Sequence, residues 1–206
     1  MNAVLIPAHA TNYTAGRQKS IDRIVIHYTA GVGDTARNNG IFFQGANRQA
    51  SAHFFVDENT VVCSVREGDT AWHAGNWDMN CRSVGIEMCS KKDAEGNYYI
   101  PKATVDRTVE LTRELMDRYG IGVEGVLRHY DVNGKHCPEP FVRNGALWED
   151  FKRRIAEEPA QEQPAAWAAD AWRAAKACGV LDGTRPFDPV TRQELAVILQ
   201  RMGSLK

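Results

Sequence analysis

Two histidines and a cysteine are the residues of this chain best suited to chemistry. His129 and Cys137 bracket the run Arg128-His129-Tyr130-Asp131-Val132-Asn133-Gly134-Lys135-His136-Cys137-Pro138, and His27 ends the apolar segment Ile24-Val25-Ile26 far upstream. Two imidazoles and a thiolate form a soft three-ligand set that suits one Zn²⁺ ion and leaves a fourth coordination position open. An open position is what metal-assisted hydrolysis requires. Alone, a histidine on an apolar strand is more often a satisfied core group than a ligand. The pair at 129 and 137 shifts that balance, because a span containing Gly134 can turn back and bring both side chains to one point.

Local patterning shows how the backbone could carry these groups. Residues 22–28 form a short strand without polar alternation in its middle, the pattern of a strand covered on both faces. Gly31, Gly33 and Asp34 break it, and Thr35 is placed to cap a helix running towards Gln44. Residues 51–57 and 60–65 are rich in β-formers and separated by Glu58 and Asn59, a hairpin. A long polar loop over 68–82 precedes a strand at 84–89. Apolar residues at 105, 109, 115, 116 and 119 mark one face of a helix over 104–119, which Gly120 ends. A short strand at 123–127 delivers His129, and a helix over 147–156 closes the domain with Lys152, Arg153 and Arg154 near its end, where they suit the dipole. Together these elements predict an α/β fold, a central mixed β-sheet flanked by helices.

The chain has 206 residues, 43% hydrophobic and 25% charged, with a formal net charge of -1 and a pI near 6.6. That charge gives no pull towards nucleic acid or acidic membranes. No segment approaches the roughly 18–20 apolar residues of a membrane span. The first residues lack a charged leader followed by a long apolar stretch, so no secretory signal is expected. The five cysteines (63, 81, 89, 137 and 178) are odd in number and form no C-x-x-C pair, which argues against a disulfide framework. Cys63, Cys89 and Cys178 stand in apolar surroundings and read as small buried hydrophobes.

Amide or ester hydrolysis at a metal needs a group to take a proton from water and return it to the leaving atom. Glu87, in Ser83-Val84-Gly85-Ile86-Glu87-Met88, is the candidate. A carboxylate on an otherwise apolar strand is costly unless it has a partner or a task; pairing with a neighbouring base is the alternative to a task. Lys135 could stabilise a developing oxyanion, although a lone lysine in a loop is ordinarily a solvated charge. Trp72, His73 and Asn76 could line a ligand groove through stacking faces and hydrogen bonds, or the aromatic could simply be a lid on the core. His53 reads as a packing residue or an outer partner of a ligand.

The segments IDRIVIHYTAG, SAHFFVDENTVV, AWHAGN, SVGIEM and LRHYDVNGKHCP, in this order between about residues 20 and 155, resemble the zinc-dependent N-acetylmuramoyl-L-alanine amidases of type 2, a family that includes phage endolysins and peptidoglycan recognition proteins. The resemblance implies that His27, His129 and Cys137 hold the zinc and that Glu87 and Lys135 are catalytic. Other members place a catalytic tyrosine just before the histidine of the second strand. Here that position is Ala52, which leaves the acid–base role to Glu87. The implied substrate is peptidoglycan and the implied reaction is hydrolysis of the bond between the muramic-acid lactyl group and L-alanine. The alternatives are a recognition protein that binds peptidoglycan without cutting it, or a cytosolic muropeptide-recycling amidase. Non-catalytic members lack the cysteine ligand, and Cys137 is present.

The domains expected are a catalytic one over 1–156, an acidic, proline-punctuated linker over 157–164, and a small helical module over 165–206. Trp167, Ala171, Trp172 and Ala175 share one helical face, Gly179 stops that helix, and Thr191 can cap another over 192–202. The segment is similar to one surface-layer-homology repeat, through Trp167, Gly179, Asp182, Gly183, Phe187, Pro189 and the run from Thr191 to Glu194. The resemblance implies a hold on secondary cell-wall polymer, with Arg192 forking onto an anionic glycan. Such anchors usually carry three repeats and this chain has one, so self-association through the tail is the other expectation. Wall chemistry, a wall-binding tail and no leader together imply synthesis in the cytoplasm and action at the wall after release.

Overall fold

The structure is a computed structural model and describes residues 2–157, 164–181, 190 and 192–202. Two compact units are separated at Ala156/Glu157. In the first, β1 (Val4–Leu5) and β2 (Tyr13–Thr14) lead to β3 (Arg23–Tyr28), α1 (Ala36–Phe43), the pair β4 (Phe54–Val56) and β5 (Val61–Cys63), and β6 (Thr70–Ala71). Then come α2 (Trp77–Arg82), β7 (Ser83–Met88), β8 (Lys91–Lys92), β9 (Tyr98–Tyr99), α3 (Lys102–Tyr119) and β10 (Val126–Arg128). The unit ends with α4 (His129–Asn133), α5 (Glu139–Arg143) and α6 (Gly145–Ala156). The main sheet has the order β1-β5-β4-β7-β3-β10. Only β4 and β5 run antiparallel; the other neighbouring pairs are parallel. The expected mixed sheet flanked by helices is therefore the fold observed.

Strand alternation sorts the two faces of this sheet. Ile24 and Ile26 of β3, Val84, Ile86 and Met88 of β7, and Phe54 and Val56 of β4 all join one buried cluster with Val109, Leu111 and Leu115 of α3 and Trp148, Phe151 and Ile155 of α6. Each such side chain, fully buried, contributes about 1.5–3 kcal/mol. The opposite face carries His27, Gly85 and Glu87, beside a smaller cluster of Ile6, Ala36, Ala52, Phe55, Val62 and Cys89.

Thr35 caps α1 as expected, accepting from the Asn38 N–H at 3.1 Å, and Gly120 ends α3 in the left-handed region. Several expectations are corrected. The polar loop over 68–82 contains β6, paired with β2, and the whole of α2, because Asn76 caps a helix there by accepting from the Met79 N–H at 3.0 Å. Of the expected 123–127 strand only Val126 and Leu127 are extended, continuing to Arg128; the preceding residues form a 3₁₀ turn. The buried face of α3 includes Thr104, Thr108 and Thr112. Thr108 donates to the carbonyl four residues earlier at 2.8 Å, so its methyl packs while its polar tip is satisfied locally. Cys178 is exposed rather than buried, whereas Cys81 is buried.

In the second unit, α7 (Ala169–Ala177) and α8 (Arg192–Arg201) are helical. None of its described residues is buried, and Trp167 is 90% exposed, so the expected apolar face over Trp167, Ala171, Trp172 and Ala175 does not become a core there. Two short helices enclose too little volume for one. Most of the linker, and Asp182, Gly183, Phe187, Pro189 and Thr191 of the repeat-like pattern, lie outside the described residues. Among the described residues no helix is long and apolar enough to cross a membrane.

Candidate metal centre

Three neighbouring strands deliver the site at their carboxyl ends. His27 of β3 is the register partner of Glu87 of β7, which puts both side chains on one face of the sheet about 4.8 Å apart at the backbone. β10 runs alongside with Arg128 opposite Ile26, so His129, the next residue, emerges beside His27. From His129 the chain enters a short helix, α4, where the sequence suggested only a loop. Asp131 starts it by accepting from the Arg128 backbone N–H at 2.9 Å and from its guanidinium at 2.7 Å. Gly134 ends it at φ 79°, a conformation that favours glycine. The turn is closed by Tyr130 N–H donating to the Cys137 carbonyl at 2.9 Å, and Cys137 is thereby returned to the two histidines.

His27 Nδ1 lies 3.0 Å from His129 Nδ1 and 3.8 Å from Cys137 Sγ. All three ligand atoms fall within 4.8 Å of one another. Donors about 2.0–2.3 Å from a tetrahedral ion stand roughly 3.3–3.8 Å apart, so the cluster has the size of one shared ion. The three residues are buried, at 1%, 3% and 4% exposure, so few waters can stand in for a cation. Burial, followed for His27 by His73 and His129, holds both imidazoles below the usual range and therefore neutral, the form that ligates. The Cys137 thiol is pushed up to about 12 by burial and by Glu87, against the opposing pull of the Tyr28 backbone and Lys135. A thiolate at this spot needs added positive charge, which a divalent cation would bring.

Glu87 is partly buried, and its Oε2 has no hydrogen-bond partner. Burial pushes its carboxyl up to about 8; Lys135 pulls it down and Asp34 pushes it up. Lys135 is exposed, yet its charge acts on His27, His129, Cys137 and Glu87 alike. The ammonium therefore sits at the solvent side of the cluster. His136, to which the sequence assigned no role, makes an edge contact with Tyr130 at 6.3 Å between ring centroids.

The groove residues suggested by the sequence have other work. His73 is buried behind His27, with its Nδ1 3.0 Å from His27 Nε2; Gly85, having no side chain, leaves the space its ring fills. Trp72 donates its indole N–H to Thr14 Oγ1 at 3.0 Å and so ties the N-terminal segment down. Asn76 is exposed, but its amide oxygen is committed to capping α2. His53 does not touch a ligand. It accepts from the Gly85 N–H at 2.9 Å and lies edge-on to His73 at 5.6 Å. Sequence reasoning assigned nothing to Asn80, Ser83 or Asn133, although Ser83 opens SVGIEM and Asn133 lies within LRHYDVNGKHCP; their polar side chains acquire meaning only through the groups the fold sets beside them.

A family model described as N-acetylmuramoyl-L-alanine amidase matches residues 17–140, the stretch that carries every residue of the cluster. The N-acetylmuramoyl-L-alanine amidase BlyA of Bacillus subtilis is 31% identical over 169 residues, 73% of this chain and 45% of that protein. CwlL of Bacillus licheniformis, named for the same activity, is 33% identical over 147 residues, 64% of this chain and 40% of that protein. The chain thus spans less than half the length of these relatives. The catalytic domain of XlyA superposes with a TM-score of 0.65 at 26% identity, covering 75% of this chain and 99% of that one. PlyL shares the fold, with a TM-score of 0.66 at 22% identity, 78% of this chain and all of that one. The chain belongs to the type 2 N-acetylmuramoyl-L-alanine amidase family.

Proposed function

We propose that this chain is a zinc-dependent peptidoglycan hydrolase of the endolysin kind, cleaving the amide between the lactyl group of N-acetylmuramic acid and L-alanine. One observation carries the reading: two imidazole Nδ1 atoms and a thiol sulfur converge in a buried cluster beside a carboxylate whose inner oxygen has no partner. Soft sulfur and nitrogen donors favour zinc over magnesium or calcium. When bound, zinc supplies Lewis acidity for a carbonyl oxygen and acidifies water. Glu87 takes a proton from the attacking water on its carboxylate and delivers it to the departing amide nitrogen. Its raised pKa suits a group that must both accept and release a proton near neutrality. Lys135 balances the negative charge that develops on the carbonyl oxygen.

The second unit is proposed to hold the enzyme on anionic wall polymer, with exposed Trp167 as a stacking face and Arg192 as the anion fork. Equal retention on intact and polymer-stripped walls would remove that role and leave self-association, measured as oligomeric state.

Turbidity loss of purified cell walls tests the enzymatic reading, with new alanine amino groups and no new reducing sugar ends as the product signature. Chelation should abolish lysis and added zinc restore it. The Cys137→Ser variant should lose both the metal, measured per chain, and lytic activity. Undiminished lysis by that variant would overturn the proposal.

A further inference from the structure

Each imidazole of the metal centre has a second nitrogen, and two consecutive residues meet both. His27 Nε2 lies 3.0 Å from His73 Nδ1, and His129 Nε2 lies 3.0 Å from the Ala74 carbonyl oxygen. The backbone N–H groups of His73 and Ala74 both donate to Asn80 Oδ1, at 3.1 and 2.8 Å. We infer that His73, Ala74 and Asn80 form a positioning strut that aims both histidine ligands at the metal, so that metal affinity depends on Asn80, a residue that touches neither ligand. This rests on the metal reading above.

The hydrogen bonds fix a direction. With both Nδ1 atoms turned to the metal side, each ligand carries its ring proton on Nε2. His27 then donates to His73 Nδ1, which places the His73 proton on its own Nε2, 3.2 Å from Ser83 Oγ. Ser83 passes the sequence on by donating to the Met79 carbonyl at 2.6 Å. The chain of bonds therefore ends on α2, the helix that also carries Asn80. On the other arm, Ala74 O accepts from His129 and also from Asn133 Nδ2 at 3.0 Å. Asn133 Oδ1 accepts from the Lys135 N–H at 3.0 Å, which sets the orientation of that amide. Asn133 Nδ2 approaches His129 Nε2 at 3.1 Å; both are donors converging on one carbonyl.

Space around the strut is equally specific. A Cβ on Gly85 would stand 2.5 Å from His73 Cγ, and one on Gly75 would stand 2.8 Å from Asn133 Nδ2. Asn80 is 7% exposed, so water cannot readily replace its oxygen. Hydrogen-bond partners of ligand imidazoles commonly control metal affinity by 10–100-fold; here one side-chain oxygen governs the partners of two ligands together.

The test uses the full chain and three substitutions. Asn80→Ala removes the shared acceptor, Asn80→Asp keeps it, and His73→Phe keeps ring bulk while removing Nδ1. Zinc affinity is read by competition with a chromophoric chelator, and coordination geometry by the ligand-field spectrum of the cobalt-substituted protein. Asn80→Ala and His73→Phe should each weaken zinc binding by about 10–100-fold and alter the cobalt spectrum, while Asn80→Asp should stay close to the parent. Nitrogen-15 spectra of the zinc-loaded parent should place the His73 proton on Nε2. Should Asn80→Ala fail to fold, unchanged zinc affinity in His73→Phe overturns the strut by itself. Unchanged affinity in His73→Phe and Asn80→Ala, or a His73 proton on Nδ1, overturns the strut. A parent protein that takes up no zinc overturns the metal reading as well, and the two failures are told apart by that measurement.

Discussion

Glu87 brings together the two requirements of an acid–base group: a desolvated carboxyl with a pKa near 8 and an oxygen left without a partner. An unpaired buried polar atom costs about 1–3 kcal/mol, so the Glu87 oxygen is left available for a proton at a cost in stability. Replacement by the isosteric amide should leave zinc content unchanged and cut the rate of wall lysis by about 10²-fold or more. Full lytic activity in Glu87→Gln, measured beside metal content, would remove the acid–base assignment. At this scale residue type carried part of the information: His27 and Glu87 stood out as polar groups on apolar strands, His129 and Cys137 through a span that Gly134 can turn back, and the family resemblance joined the four. His73 was singled out for a groove and not as a partner of His27, because His27 lies 46 positions away and only the folded sheet brings the rings together.

At the scale of the element, β3 and β7 work as a pair. Their parallel register sets His27 beside Glu87 and Val25 beside Gly85, so a single strand face holds a ligand, a carboxylate and an empty slot. That slot belongs to the His73 ring. Gly85→Ala should destabilise the protein by about 1–3 kcal/mol through overpacking and weaken zinc binding by displacing the ring. Gly68→Ala, where an added Cβ meets nothing within 4 Å, serves as the control in thermal unfolding. Equal melting temperatures for both variants would refute this account of the site. Hydrophobic periodicity located α3 but missed its threonine stripe, of which Thr108 is accommodated because its hydroxyl bonds to its own helix and leaves the methyl to the core.

At the scale of the molecule, buried neutral histidines couple stability to pH. His53 is held well below the usual imidazole range by burial, with His73 and Arg17 adding to the effect. In the unfolded chain it titrates near 6.5. Above that value neither state is protonated and His53 contributes no slope. As pH falls below about 6.5 the unfolded chain takes up a proton that the folded chain refuses, and stability declines by up to about 1.4 kcal/mol per pH unit from this group. Denaturant unfolding of the metal-free protein between about pH 7 and 5 should show that decline, and His53→Gln should reduce its slope by about one proton. A variant with the same slope as the parent would mean that another group is responsible.

Residue chemistry and local periodicity, with the family resemblance, are enough to single out the two histidines, the cysteine and the carboxylate as candidates, and to predict the mixed sheet with its flanking helices and the caps at Thr35 and Gly120. Chain packing, by contrast, selected the groups that stand behind the ligands, turned Asn76 into a helix cap and Trp72 into a tie for the N-terminal segment, and inserted α4 between His129 and Cys137. The division has a physical cause. Local propensity acts over a few neighbouring residues, whereas the hydrogen bonds that orient His27 and His129 join segments brought together only when the strands pair.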